Sequence, residues 1–141
     1  SISADAEILS MTVESMLESG LKNFQISVGH SQFFYGLTKA AGLSGEQEEN
    51  LRELIANKNF FGVEEFVDSL SMNDRLRKLF GLLDNFDLQD EQLMEALKLA
   101  KGYDEILSSI DTLLKLREYL KAYGIEKYIS YELGLISDHT Y

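Results

Sequence analysis

The chain has 141 residues, of which 45% are apolar and 26% are charged. This is the size and composition of one globular domain, and it excludes disordered, collagen-like and membrane proteins. Acidic residues outnumber basic ones by 24 to 13, which gives a formal net charge of −11. Such a chain repels phosphate backbones and anionic lipid surfaces, so we expect neither a nucleic-acid nor a membrane partner.

The chain contains no cysteine. Disulfides, thiolate catalysis and cysteine zinc sites are therefore excluded, and a reducing cytoplasm is the natural compartment. No apolar run approaches the ~20 residues that a membrane-spanning helix needs. The N-terminus lacks the basic and apolar regions of a signal peptide, and Ser1 stands in place of an initiator Met, so we expect a piece of a longer protein.

The first predicted element is a helix with Ser3 as its N-cap and Gly20 at its C-terminal end. An apolar stripe from Ile8 to Leu17 predicts the face that this helix buries. The stretch 24–28 then alternates apolar and polar residues. A period of two is typical of a strand with one buried face, so a strand is predicted here.

Six helices are predicted after this strand. One has the capping-box spacing of Ser44 and Gln47, and the last carries Arg117 in its apolar stripe and ends at Gly124. The stretch 128–136 alternates again and predicts a second strand. The expected fold class is therefore mainly α with a small β component. Because two strands cannot form a stable sheet alone, they either pair beneath the helices or belong to a larger sheet, which we favour.

The sequence GHSQF at 29–33 follows a predicted strand and opens a helix, as the nucleophile elbow of serine hydrolases does. Phe33 stands where that elbow needs a small residue, and His139 is the only later histidine in the sequence. We therefore interpret Ser31 as a helix N-cap and His30 as a loop residue, and we expect no catalytic residue here.

Four acidic residues, Asp84, Asp87, Asp90 and Glu91, gather in one predicted loop. Apolar residues occupy two of the positions at which an EF-hand needs oxygen ligands, so the calcium-binding pattern fails. We interpret this stretch as a solvated loop in which Asp90 caps a helix. The two histidines lack partners at metal-ligand spacing, and no glycine-rich phosphate motif occurs. We therefore expect neither a metal site nor a cofactor.

Aromatic residues cluster near the predicted ends of several helices. We interpret them as packing between helices, and the alternative is an exposed groove for a partner. The residues concerned are Phe33, Phe34, Tyr35, Phe60, Phe61 and Phe66.

Three stretches together resemble a known family. The sequence ADAEIL at 4–9, followed by NFQISVGH at 23–30, resembles the segment after motif 2 in histidyl-tRNA synthetase-like proteins, where a helix precedes a strand of the antiparallel class II sheet. The pair at 29–30 is more similar to the ATP phosphoribosyltransferase regulatory subunit family. The run 42–120 resembles the helical insertion of that family, and 128–136 resembles the strand that leads into the histidine-specific motif.

The histidine-specific motif reads LVRGLDYY in the synthetases. Here Ser137 stands at the arginine position and Asp138 at the glycine position, whereas Tyr141 matches the first tyrosine. In a synthetase, a cation at the arginine position offsets the charge of the reacting carboxylate and phosphate, which Ser137 cannot do. The resemblance therefore implies a relative that kept the fold without aminoacylation, with Tyr141 in a histidine-binding pocket.

The resemblance implies that residues 43–124 form a helical insertion on a class II-like core made by 1–42 and 125–141. It also implies a non-catalytic regulatory subunit of ATP phosphoribosyltransferase, which acts in the first step of histidine biosynthesis. The partners would be the catalytic subunit and histidine as effector. We expect a homo-oligomer, since the strands of Phe24 and Tyr131 would leave unpaired edges that recruit another chain.

Two alternatives stay open at this stage. The first is a fragment of a true histidyl-tRNA synthetase. Ser137 at the position of the motif arginine favours the regulatory subunit over this alternative. The second is an unrelated helical interaction domain. That alternative predicts a self-contained helical bundle without strands of a class II sheet.

Overall fold

The computed structural model describes residues 1–135. Two short strands, β1 (Ile26–Val28) and β2 (Ile129–Tyr131), and two 3-10 turns, Leu82–Asp84 and Glu126–Tyr128, accompany the helices. The helices are α1 (Ile2–Glu18), α2 (Ser31–Ala40), α3 (Gly45–Ala56), α4 (Phe60–Asp68), α5 (Asp74–Gly81), α6 (Asp90–Leu99) and α7 (Asp104–Tyr123). The predicted order of a helix, a strand, six helices and a second strand is confirmed.

The strands β1 and β2 lie side by side and run parallel, with Ser27 opposite Ser130. Their predicted pairing is confirmed, but the antiparallel sheet expected from the resemblance is wrong for this pair. The six intervening helices return the chain to the end of the sheet at which β1 begins, which is the crossover that parallel strands require. Both strands are shorter than predicted. Phe24 precedes β1, Tyr128 belongs to a 3-10 turn, and β2 ends at Tyr131, before a turn at 133–134.

The long helix α7 is the centre of the packing, since it contacts α1, α2 and α6. Gly36 lets α2 approach closely, because a Cβ atom on it would lie 2.7 Å from Ile106 Cγ1. Gly124 ends α7 in the left-handed conformation, as predicted. The buried face of α7 is formed by Ile106, Ser109, Ile110, Leu113, Leu116, Arg117 and Leu120.

The starts of three helices show which side chains act as caps. Ser44 and Gln47 form the predicted capping box of α3. Ser1 caps α1 instead of Ser3, since Ser1 Oγ accepts the Ala4 N–H at 3.2 Å and the helix already includes Ser3. Asp90 is likewise the first residue of α6 rather than its cap. At the start of α6, the Gln89 N–H donates to Gln92 Oε1 at 2.9 Å.

The apolar stripe predicted for α1 is confirmed at Val13 and at Leu9, which packs against the core, but not at its two ends. Ala6 and Val13 are buried, whereas Ile8 is 53% exposed and Leu17 is 39% exposed. Ala6 and Val13 are seven residues apart and therefore lie on one side of the helix. Their small side chains suit close packing on α7, and the larger Ile2 and Leu9 also pack against the core, so the buried face is offset from the predicted stripe.

Two glycines allow the backbone to cross closely at the C-terminal ends of the strands. A Cβ atom on Gly29 would lie 2.6 Å from the carbonyl oxygen of Glu132, and one on Gly134 would overlap that of Leu83. Both neighbours are backbone atoms, which cannot swing away as a side chain does. Glycine is therefore required at both positions for close approach.

We predict that Gly134→Ala and Gly29→Ala each lower the free energy of unfolding by about 1–3 kcal/mol, because the added methyl group forces backbone apart. Urea unfolding followed by circular dichroism measures this. The matched control is Gly45→Ala at the start of α3, where a Cβ atom meets no neighbour. Equal stability of Gly134→Ala and the control would contradict the close approach.

Candidate functional site

The stretches that carry the family resemblance meet at a cleft over β1. The cleft has a volume of about 360 Å³ and lies between α1 and α7, with Leu135 at its edge. Most of its lining is apolar, as in clefts that bind ligands or protein segments. Its apolar lining includes Ile8, Leu9, Ile26, Val28, Leu113, Leu116 and Leu135, and its polar lining includes Asp5, Ser27, His30, Ser31 and Thr112.

The backbone of β1 leaves one edge of the pair open beside this cleft. The Glu132 N–H donates to the carbonyl of Val28 at 2.9 Å, so Val28 points its backbone groups toward β2. Alternate residues of a strand point their backbone groups to opposite edges, so those of Ser27 face away from β2. This edge can accept another strand.

His30, rather than Ser31, is the N-cap of α2, which corrects the sequence interpretation. Its Nδ1 accepts the Gln32 N–H at 3.2 Å. Burial lowers the pKa of His30, so the imidazole is neutral at pH 7. Within residues 1–135, no carboxylate lies within 4.0 Å of its ring nitrogens. The described cleft thus holds hydrogen-bonding groups but no proton relay.

The predicted acidic loop does not act as one cluster. Asp84 and Asp87 are exposed, whereas Asp90 turns toward α7 and pairs with Arg117 and Lys121. Across residues 1–135, no three His, Asp or Glu side chains come together as metal ligands. The acids of this loop are therefore divided between solvent and an ion-pair network.

The ion-pair network is centred on Arg117, which is only 7% exposed. Its Nε lies 2.6 Å from Asp90 Oδ1 and its Nη2 lies 3.1 Å from Glu126 Oε1. The Nε–H bond is not aligned with Oδ1, so that contact is an ion pair without a hydrogen bond. Nη1 donates to the carbonyl of Leu88 at 3.1 Å, and the guanidinium lies 4.7 Å from the Tyr131 ring centroid.

Tyr131 joins this network to the sheet. Its side chain is fully buried, and burial raises the pKa of the phenol, so the hydroxyl stays protonated. The Leu88 N–H donates to the Tyr131 carbonyl at 2.9 Å and closes the outer edge of β2. Arg117 therefore contacts the loop before α6, the 3-10 turn before β2 and the ring of Tyr131, and it fixes their positions relative to one another.

Residue 117 was predicted to face the core, but its ionic partners were missed. The available signal was a charged residue at an apolar position of the helix. Because buried charged side chains are almost always paired, this position indicates ionic partners. The predicted ligand residue Tyr141, and Ser137 and His139 with it, lie outside the described residues. The structure does bring together the stretches 23–30 and 128–135.

Comparison with known proteins identifies relatives across the whole chain. The family model described as Histidyl-tRNA synthetase matches residues 1–141. A protein from Acetivibrio thermocellus named ATP phosphoribosyltransferase regulatory subunit is 32% identical over 98% of this chain and 33% of its own length. One of the same name from Desulforamulus reducens is 36% identical over 98% of this chain and 34% of its own length.

A solved structure is also similar. It is described as an ATP phosphoribosyltransferase regulatory subunit/histidyl-tRNA synthetase from Bacillus halodurans, with a TM-score of 0.82 and 25% identity. The match covers 96% of this chain and 36% of that chain. This chain therefore spans about a third of the length of the relatives that it matches. Among the described helices, none has the length and hydrophobicity to cross a membrane.

We predict that Arg117→Met lowers the free energy of unfolding by roughly 2 kcal/mol, because Asp90 and Glu126 lose a buried cation. The value is below that of a fully buried pair, since both carboxylates are more than a third exposed. Thermal unfolding measures it. In the control, Lys115→Met, the lost ion pair is exposed, and the change should stay within about 0.5 kcal/mol. Equal losses would contradict the central role of Arg117.

A second prediction concerns acid stability. The hydrogen bond from Lys121, together with the charge of Arg117, lowers the pKa of Asp90 in the folded state. The carboxylate therefore stabilises the fold above the unfolded pKa of about 4, and this contribution is lost as pH falls through the lower folded pKa. Asp90→Asn should show a smaller decrease in melting temperature than wild type between about pH 6 and pH 3.

The control for this pH series is Asp111→Asn, which removes a carboxylate from an exposed pair with Lys115 on α7. It should keep the acid sensitivity of the wild type. The same pH dependence in Asp90→Asn and wild type would contradict the assignment to Asp90.

Proposed function

Because the chain belongs to the histidyl-tRNA synthetase family, we propose that it is part of a regulatory subunit of ATP phosphoribosyltransferase. The observation that carries this proposal is the name shared by relatives that match 98% of the chain at 32–36% identity. The solved relative bears the same description beside that of histidyl-tRNA synthetase. In this proposal the parent protein acts in histidine biosynthesis in the cytoplasm.

The proposed role is regulatory rather than catalytic. The parent protein would bind the catalytic subunit, which transfers the phosphoribosyl group to ATP, and would adjust its activity. Ser137 supports this role, since it replaces the arginine that aminoacylation uses to offset negative charge.

The proposed division of the chain assigns 1–42 and 125–141 to a class II-like core and 43–124 to a helical insertion. Both described strands come from the first two segments. The open edge at Ser27 and the apolar cleft beside it support a larger sheet, since an isolated pair of strands is marginally stable in water. The helix α7 would join insertion and core through its contacts with α1 and α2.

Histidine is the proposed effector of the parent protein, with Tyr141 in its pocket. The support is the match of Tyr141 to the first tyrosine of the histidine-specific motif, next to the strand segment that ends at Leu135. We also propose that the parent protein is a homo-oligomer. An edge that the completed sheet of the parent protein leaves unpaired would support association through a strand.

A fragment of a true histidyl-tRNA synthetase is the second candidate. The family model that matches residues 1–141 carries that description, which is the observation in its favour. The replacement of the motif arginine by Ser137 argues against it. The unrelated helical interaction domain is excluded by the family match.

We predict that the full-length parent protein co-purifies with the catalytic subunit of its own organism and raises its phosphoribosyl transfer to ATP. Histidine should inhibit the complex more strongly than the catalytic subunit alone. Steady-state kinetics of the separate and mixed proteins measure both effects. Histidine-dependent charging of tRNA by the parent protein, without any effect on the transferase, would support the synthetase instead.

A further inference from the structure

A narrow slot lies between α4 and α5, away from the cleft over β1. Its volume is about 270 Å³, and its floor consists of buried apolar side chains. Clefts that hold free small molecules are commonly larger, at about 300–1,000 Å³, so this slot fits one long side chain better than a separate ligand. The floor is formed by Val63, Val67, Phe80 and Leu83.

The rim of the α4–α5 slot is acidic. It contains the carboxylates of Glu64, Asp68 and Asp84 and the guanidinium of Arg77, which is paired with Asp68. In the described part of the chain, no basic nitrogen lies within 4.0 Å of the carboxylates of Glu64 or Asp84. The rim therefore keeps two negative charges over an apolar floor.

Aromatic rings extend the apolar surface beyond the slot. Phe60 lines the slot and packs edge-on against Phe86 with their ring centroids 5.9 Å apart. Phe86 is 53% exposed and Phe61 is 73% exposed, so the expected packing of Phe61 between helices is wrong. The alternative of an exposed partner groove explains these rings, because aromatic patches with a polar rim are typical of protein interfaces.

We propose that the α4–α5 slot accepts a lysine or arginine side chain of the catalytic subunit, whose apolar residues cover Phe61 and Phe86. This inference rests on the regulatory function proposed above. Lysine and arginine lay their alkyl stems on apolar surface and keep the charged group at a polar rim, which is the arrangement that the slot offers. The excess of acidic over basic residues in this part of the parent protein also attracts a basic surface.

Charge decides between this partner and a second copy of the chain. Two copies present the same acidic rim to each other, with the carboxylates of Glu64 and Asp84 on both sides, so their association at this surface is opposed. Arg77 at the rim is already paired with Asp68, and Lys58 lies 3.7 Å from Glu132 and 5.2 Å from the Phe86 ring centroid. A basic side chain from a different protein therefore matches the slot best.

The test uses the full-length parent protein and its catalytic subunit, with affinity measured by surface plasmon resonance at low and high salt. The double variant Glu64→Gln/Asp84→Asn should raise Kd about tenfold at low salt, mainly through slower association, and less at high salt. Phe86→Ala should raise Kd at least about tenfold at both salt concentrations, since it removes an apolar contact. These side chains are exposed, so circular dichroism should show unchanged folding.

The matched control is Glu14→Gln/Glu95→Gln, which changes net charge equally at two exposed helical positions and should alter Kd by less than about twofold. Equal effects of both double variants would overturn the slot assignment while wild-type binding upholds the proposed function. Altered self-association without altered Kd would assign the slot to a second copy and overturn it too. Failure of the wild type to bind the catalytic subunit would overturn both proposals.

Discussion

The parallel pairing of β1 with β2 is the constraint on which the rest of the described structure depends. Two three-residue strands, separated by about a hundred residues, carry too few hydrogen bonds to hold themselves together. The two strands stay paired because helices fix the positions of both of them. α7 packs on the helices that flank β1, and Arg117 beneath Tyr131 fixes β2 to the same helix. The cost of closing so long a loop rises only slowly with its length, so six helices can be accommodated between the strands.

The electrostatics of the molecule follow from the same arrangement. A chain with 24 acids and 13 bases can bury a cation with less loss than an anion, because acids are available to surround it. Arg117 uses this excess, with Asp90 and Glu126 beside it and a backbone carbonyl taking a further hydrogen bond. Other acidic residues lie at the surface and form no ion pair with the buried Arg117. Glu64 and Asp84 stand over apolar side chains and are available to a partner's cation.

The order of elements could be predicted from the sequence because it depends on local signals. Ser44 with Gln47 and Gly124 determine where helices begin and end through contacts within one turn. The predictions that were wrong concern tertiary contacts, which local sequence signals do not determine. The direction of β2 against β1 depends on where α7 ends, and the burial of Ala6 instead of Ile8 depends on close packing against α7. The cap at His30 was missed because an imidazole acceptor is a rarer cap than serine, and Tyr141 of the predicted site lies outside the described residues.

The two surfaces that the structure leaves open differ in chemistry, and this difference assigns them different partners. The cleft over β1 adjoins a free strand edge, so its natural occupant is polypeptide that supplies backbone hydrogen bonds, as the further sheet of a longer chain does. The α4–α5 slot has no strand edge; it offers carboxylates and exposed aromatic rings, which recognise side chains. The proposed core would thus complete its own fold at the first surface, and the proposed insertion would meet another protein at the second. α5 packs against α2 and α6, and both of these helices pack on α7, so the slot is connected to the sheet through several packed helices.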